Sequence, residues 1–569
     1  MKYPACRLPG ALGAILLVLA VNLSATPDPV TVHADRIMGE LRPIWNNFGY
    51  DEALTTLTPE GRHLLQELNK LSAQPIRIRV HHLLTSGDGT LALKWSSTNV
   101  YTEDADGRAI YDWTRLDAIM DELAGPGLEP FVQASFMPEA LSSRPQPYTP
   151  ALVKTGKPDN MLSGGAFYPP KDYKKWEALI EAWARHCGER YGVDRASSWL
   201  WELWNEPESP YFKGTIADYC RLYDHFAAAV KRALPRARVG GPHTTDPSWK
   251  RGDLFMAAFL EHCRSGVNAV TGAKGAPLDF VAFHAKGVTR VDADGRVEMG
   301  LGTQLGNIAT YGKVIAQFPE FAHLPIYIGE SDPEGCAACA AVDYPERGYR
   351  LTSQFAAYTA ASFMRKQDLL ATTGGDLQGA VSWAFTFADQ PWFNGLRALT
   401  TNQVALPVFN AFKLFARLGP DRLATEAPTM IPTAEIIAHG VRGDSDVGVI
   451  ASRDATRVTV LLWNYHDVAG VSGAKDVNVT ITGLKPGTKR IAAIHETAVD
   501  DELGNAHTAW LTMDSPAAPT LEQIKTLERA AEMTPTPREW NRADEETLSL
   551  PVSMPPQSVK LIEIPLTDQ

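Results

Sequence analysis

The sequence predicts a (β/α)8 TIM barrel, of the α/β class, with a C-terminal β-sandwich accessory domain. Three observations carry that reading. Eight short apolar runs alternate with helix-like segments over about 370 residues. Beyond Leu418 the pattern changes to period-2 alternation broken by turn residues. Two of the apolar runs end in glutamate, at the strand ends where barrel proteins carry their chemistry.

Taken in order, the chain begins with Lys2 and Arg7 ahead of an apolar run from Ala11 to Leu23 and then Ser24-Ala25. That is the layout of a secretory signal peptide, residues 1–25, and the run is shorter than the roughly 20 residues a spanning helix needs. The mature protein is therefore expected to be secreted or periplasmic, with no membrane contact after cleavage. Residues 26–418 form the expected barrel. Its strands are predicted at 45–50, 76–82, 129–134, 199–205, 237–241, 280–284, 326–330 and 379–385. Helical spacing of apolar residues marks 172–191, 216–234, 253–264 and 349–369.

Residues 419–569 form the expected sandwich, with strands at 447–452, 457–465, 476–482, 491–495 and 559–564. The short run 30–34, ahead of the first barrel strand, is placed to add a further strand to it. A helical insert at 519–533 is expected to lie against the sandwich. No internal repeat is evident.

Composition bounds the function. With 44% hydrophobic and 21% charged residues the chain has ample apolar surface for large cores. A net charge of −12 excludes nucleic acid as a partner, because phosphate binding draws on clustered Lys and Arg. Five cysteines follow the signal, an odd number, so this is not a disulfide scaffold. Cys336 and Cys339 form a lone C-x-x-C unit, better read as a local bridge than as half of a metal site.

The chemistry concentrates on two strand ends. The fourth predicted strand reads Trp199-Leu-Trp-Glu-Leu-Trp-Asn-Glu-Pro and reaches Glu206; the seventh reads Ile326-Tyr-Ile-Gly-Glu and stops at Glu330. A barrel brings those two mouths across one pocket. Paired carboxylates are what glycosidic cleavage needs, one protonating the leaving oxygen while the other attacks the anomeric carbon. Glu202 shares strand parity with Glu206, and Arg77 and Arg79 share parity with His81, which predicts a buried Arg–Glu pairing rather than a third catalytic acid. Asp332 and Glu334 fall in the loop past the seventh strand.

On these motifs the chain resembles glycoside hydrolase family 39, which includes β-xylosidases and α-L-iduronidases. The resemblance runs from Leu41-Arg-Pro-Ile-Trp into the sandwich. It implies a retaining mechanism with Glu206 as acid/base and Glu330 as nucleophile. It also implies sugar contacts for His81, Asn205 and His284, and a pocket floor at Trp383. Lys286 and Arg397 resemble the iduronidase side of the family, where such cations meet a substrate carboxylate. The leading expectation is an exo-acting β-xylosidase acting on xylo-oligosaccharides. A uronic-acid glycosidase and a non-catalytic carbohydrate-binding protein are the alternatives. No cofactor and no metal are implied, and both monomer and oligomer stay open.

Overall fold

The computed structural model describes residues 27–91, 96–145, 164–484, 493–542, 544 and 546–566. Within them, eight parallel strands form one sheet: Asn47–Tyr50, Ile76–Val80, Leu128–Ala134, Leu200–Leu203, Arg238–Thr244, Phe280–His284, Pro325–Glu330 and Asp376–Ala380. They pair in chain order, and a parallel bridge from Phe48 to Ser382 joins first to last, closing the barrel. A helix follows each strand: Pro59–Asn69, Thr114–Leu123, Tyr173–Tyr191, Ile216–Ala233, Gly252–Ser265, Leu301–Ile315, Ser353–Ala371 and Pro407–Phe415.

Local chemistry starts several of these helices. Asp172 accepts the N–H groups of Lys174 and Lys175, and Thr215 with Asp218 forms a reciprocal capping box. Pro59 and Pro407 occupy first-turn positions, where a missing N–H costs nothing. Inside the barrel, Phe131, Leu200, Phe280, Ala282 and Tyr327 form a cluster of their own, with ring centroids 5.6–5.8 Å apart. The interior is therefore a packed plug, and the chemistry is left to the strand ends above it.

The fourth strand stops at Leu203, two residues before the expected end, because Trp204 and Glu206 turn with φ of 67° and 47°. The eighth begins at Asp376 rather than 379 and ends at Ala380, its start masked in sequence by Asp376 and Gln378. The expected helix at 349–369 runs from Ser353 to Ala371, since residues Pro345–Leu351 form a separate tighter turn and Thr352 caps the new start.

Ten further strands form the second sheet. Strand Asp28–Glu40 lies inside it, parallel to Lys475–Thr482 and antiparallel to Asp421–Glu426. Its two edge strands, Thr536–Arg538 and Asn541–Arg542, stand at opposite ends of the hydrogen-bonded order yet are neighbours in sequence. A flat sheet would hold them about 43 Å apart at ~4.8 Å per strand, so the sheet wraps around on itself. The layers of the sandwich are two parts of one continuous sheet.

Alternate residues such as Val30, Val32, Val449, Val460 and Val479 fill the core that the wrapped sheet encloses. Leu461, Trp463, Tyr465, Val559 and Leu561, on the other face, join the barrel's core. The strands Asp421–Glu426 and Leu548–Met554 were hidden in sequence by charged residues and by Pro551.

The insert helix spans Leu521–Ala531. Leu527 and Ala531 join the cluster shared by the barrel and the second sheet, Asn410 of the last barrel helix donates to Ala531 O at 2.8 Å, and Asn505 N–H donates to Ala530 O at 2.9 Å. Cys336 and Cys339 are bridged, while Cys187, Cys220 and Cys263 are buried free thiols. Among the described residues no helix is long and apolar enough to cross a membrane. The expected signal, residues 1–25, lies outside the described residues.

Candidate active site

Glu206 and Glu330 meet over the C-terminal mouth of the barrel. The turn after the fourth strand is fixed by its backbone: Trp204 N–H donates to Ala134 O at 3.3 Å and Glu206 N–H to His243 O at 3.0 Å. The seventh strand reaches the same place because residue 329 is glycine. A Cβ there would fall 2.1 Å from the His243 ring. The nearest donor atoms of Glu206, Glu330 and His284 lie within 4.8 Å of one another.

Lys286 stands between the two carboxylates, its Nζ 2.9 Å from Glu206 Oε1 and 2.8 Å from Glu330 Oε2. His284 Nδ1 donates to Glu206 Oε1 at 3.0 Å. The trio has metal-ligand spacing, but this ammonium already supplies the positive charge between the carboxylates. Burial alone would push both carboxyls up; Lys286 and His284 outweigh it and hold Glu206 and Glu330 below the usual carboxylate range. The same two anions overcome burial at Lys286 and keep its amine charged. Burial pushes two neighbouring carboxyls the other way: Asp246, which accepts the Lys286 N–H at 2.9 Å, to about 6, and Glu208 to about 7.

A second layer lies directly beneath. Arg79 is fully buried and donates through Nε to Glu202 at 2.7 Å and through Nη2 to Asn205 Oδ1 at 3.0 Å, while Nη1 lies 3.5 Å from Glu330. Glu202 also receives Gln133 at 2.6 Å and pairs with His243. Burial drives His243 down to about 3, so the ring is neutral. Arg77, by contrast, pairs with Glu129 at 3.3 Å, away from this layer. His81 sits beside Glu330, with Nε2 3.8 Å from it, and its Nδ1 meets Asp51 at 2.9 Å. Asp51 only accepts, which puts the ring proton on Nδ1.

Trp383 forms one wall. Its ring centroid lies 4.3 Å from that of His81, and the Arg79 guanidinium is 5.1 Å from the indole. The wall fits because residue 49 lacks a Cβ, which would fall 2.3 Å from the Trp383 ring. Arg397 is placed differently from the other expected residues. Fully buried, it is held by Glu334 at 2.9 Å and by Trp383 O at 3.0 Å, so its charge is spent behind the wall and not offered to the pocket. The structure thus brings together Glu206, Glu330, His81, Asn205, His284, Lys286 and Trp383, and sets Arg397 one layer back. Reading the sequence missed Asp51, His243, Asp246 and Gly49. Asp51, His243 and Asp246 each lie at or just past a barrel strand end, the one signal that marks them.

Glutamates on the fourth and seventh strand ends, facing each other in a closed (β/α)8 barrel, invite comparison with known proteins. The chain matches the family described as glycosyl hydrolases family 39 over residues 29–546. It is 24% identical over 548 residues to a beta-xylosidase of Caldicellulosiruptor saccharolyticus, covering 94% of this chain and 98% of that one. An alpha-L-iduronidase of Canis lupus familiaris is 27% identical over 589 residues, with 98% and 81% covered. Among solved structures, a monomeric beta-xylosidase from Caulobacter crescentus CB15 superposes with a TM-score of 0.71 at 22% identity, covering 95% of this chain and all of that one. The chain belongs to glycosyl hydrolases family 39 and is a glycosidase.

Proposed function

We propose that the protein is a retaining, exo-acting β-xylosidase that releases xylose from the ends of xylo-oligosaccharides. The observation that carries the mechanism is the spacing of the two carboxylates. One oxygen of each lies within 4.8 Å of one of the other, which favours the carboxyl spacing of about 5–5.5 Å of retaining enzymes over the roughly 6.5–9.5 Å of inverting ones.

In the first step Glu330 attacks the anomeric carbon while Glu206 gives its proton to the leaving oxygen. In the second, Glu206 takes a proton from water, which displaces Glu330 and restores the original configuration. Arg79, 3.5 Å from Glu330, holds it for the attack, and Glu206 must take up a proton before the first step, which its contact with Lys286 opposes in the unliganded site. Exo action is supported by enclosure: Glu206 and Glu330 are only 6% and 4% exposed. Xylose is supported by the aromatic wall of Trp383 and by the likeness to beta-xylosidases.

A second reading, a uronic-acid glycosidase, is favoured by the ammonium of Lys286 at the pocket centre and by the likeness to alpha-L-iduronidases. Parallel assay of 4-nitrophenyl xyloside, arabinoside and glucuronide separates the two. The xyloside should give the highest kcat/KM; a clear preference for the acidic sugar overturns the xylosidase reading, and no turnover of any of them favours a protein that only binds carbohydrate. The charged n-region and apolar run in residues 1–25 support export, which detection of the mature chain starting near residue 26 outside the cytoplasm would test.

A further inference from the structure

The segment after Glu330 holds a feature that glycoside cleavage does not use, the Cys336–Cys339 bridge. Within the loop it closes, Ala337 is buried and packs on Val381 and Trp383, with Phe387 against them. The loop's carbonyls converge on one fully buried guanidinium. Arg350 donates to Cys336 O and Cys339 O at 2.6 Å each, to Ala337 O at 3.3 Å and to Glu334 at 2.5 Å. Arg347 adds Cys336 O at 3.2 Å.

From this loop and its flanks the Trp383 backbone is held at two points. Its N–H donates to Asp332 at 2.8 Å, and its carbonyl accepts Arg397, which itself hangs on Glu334 and on Ala337 O. The loop sequence Gly335-Cys-Ala-Ala-Cys has small side chains that bury little area, so its shape rests on the covalent link and on the hydrogen bonds from Arg350 and Arg347.

We infer that the Cys336–Cys339 bridge is a positioning element of the sugar pocket, holding Ala337 against Trp383 and the loop carbonyls on Arg350, so that its reduction relaxes the pocket wall and weakens substrate binding. The inference rests on the reading of Trp383 as a sugar-contacting wall. The chemistry is thiol–disulfide exchange with a dithiol. A reductant thiolate attacks the sulfur of Cys336, the less buried of the pair, and Cys339 leaves as a thiolate. The second reductant thiol then resolves the mixed disulfide. Two electrons and two protons pass to the protein, giving two thiols, and the reductant departs as a cyclic disulfide.

The test treats the full-length enzyme with dithiothreitol, counts thiols by alkylation and mass, and measures kcat and KM on the best aryl glycoside. It includes the double variant Cys336→Ser/Cys339→Ser and hydrogen exchange of residues 334–340. On gain of two thiols, KM should rise about five- to tenfold with kcat within about twofold, as expected for loosened positioning, and should return on reoxidation. The double variant should match the reduced enzyme and ignore reductant. Where the variant does not fold, the reduction and reoxidation cycle of the native protein decides. Two thiols gained with KM unchanged overturns the inference. If the oxidised enzyme turns over no aryl glycoside, it is the pocket reading that fails; exchange of 334–340 then judges the loop, and unchanged exchange on reduction overturns its positioning role.

Discussion

Lys286 Nζ lies 2.9 Å from Glu206 Oε1, so the side chain proposed to donate a proton is held as an anion in the unliganded site. Asp246, Glu208, His284, Glu330, Arg79 and His81 are the charged and titratable groups around the pair.

The sign of the pH effect follows from that contact. Lys286 lowers the carboxyl of Glu206, so free enzyme carries little of the acid form at neutral pH. Lys286→Met removes the cation and leaves burial and Glu330, which raise Glu206, opposed only by the hydrogen bond from His284. The basic limb of the kcat/KM–pH profile should therefore move to higher pH in the variant, by about one unit or more. A basic limb that stays in place or moves down contradicts the role given to Lys286.

The same contact governs stability. A carboxyl lowered in the folded state adds stability above its unfolded value, about 4.3, and loses it as pH falls through the folded value. Lys286→Met should therefore be destabilised at pH 7 and regain part of the deficit toward pH 5, as one of the two facing carboxylates takes up a proton. A thermal-melt deficit that grows on acidification would count against this.

Arg79 and Glu202 are both fully buried. Arg79→Met strands the Glu202 charge and should cost about 3–5 kcal/mol in denaturant unfolding. Adding Glu202→Gln to the same chain should recover part of that loss. A single-variant cost below about 1 kcal/mol would show that the pair is not coupled in this way.

Gly49→Ala places a methyl into the Trp383 ring and 2.9 Å from Arg79 O. Overpacking of this kind should cost about 1–3 kcal/mol and raise KM, because the ring must shift toward the sugar. Unchanged KM would remove Trp383 from the pocket wall.

Glu206→Ala should lose about 10²–10⁴-fold in kcat on a glycoside with a poor leaving group and far less on an activated aryl glycoside. Equal losses on both would exclude an acid role.

The barrel was legible because most of its strands are short runs rich in apolar residues that alternate with helical spacing, and the two glutamates because each sits where such a run ends. What could not be read was partner choice. Lys286 is visible as a cation near a strand end, but only the fold puts it between two carboxylates. Arg397 carries the same kind of charge and is consumed by Glu334, whose position depends on the loop after the seventh strand. His243 lies in Gly240-Gly-Pro-His-Thr, a stretch without apolar periodicity. The wrapping of the second sheet depends on edge strands of three and two residues, too short to carry a pattern.

The pairing of Glu330 with Glu206 over one sugar is tested most directly by Glu330→Ala assayed on an activated aryl glycoside with and without azide. Hydrolysis should collapse, and azide should restore turnover while forming a glycosyl azide of inverted anomeric configuration. Undiminished hydrolysis, or a dead variant that azide does not rescue, contradicts the assignment.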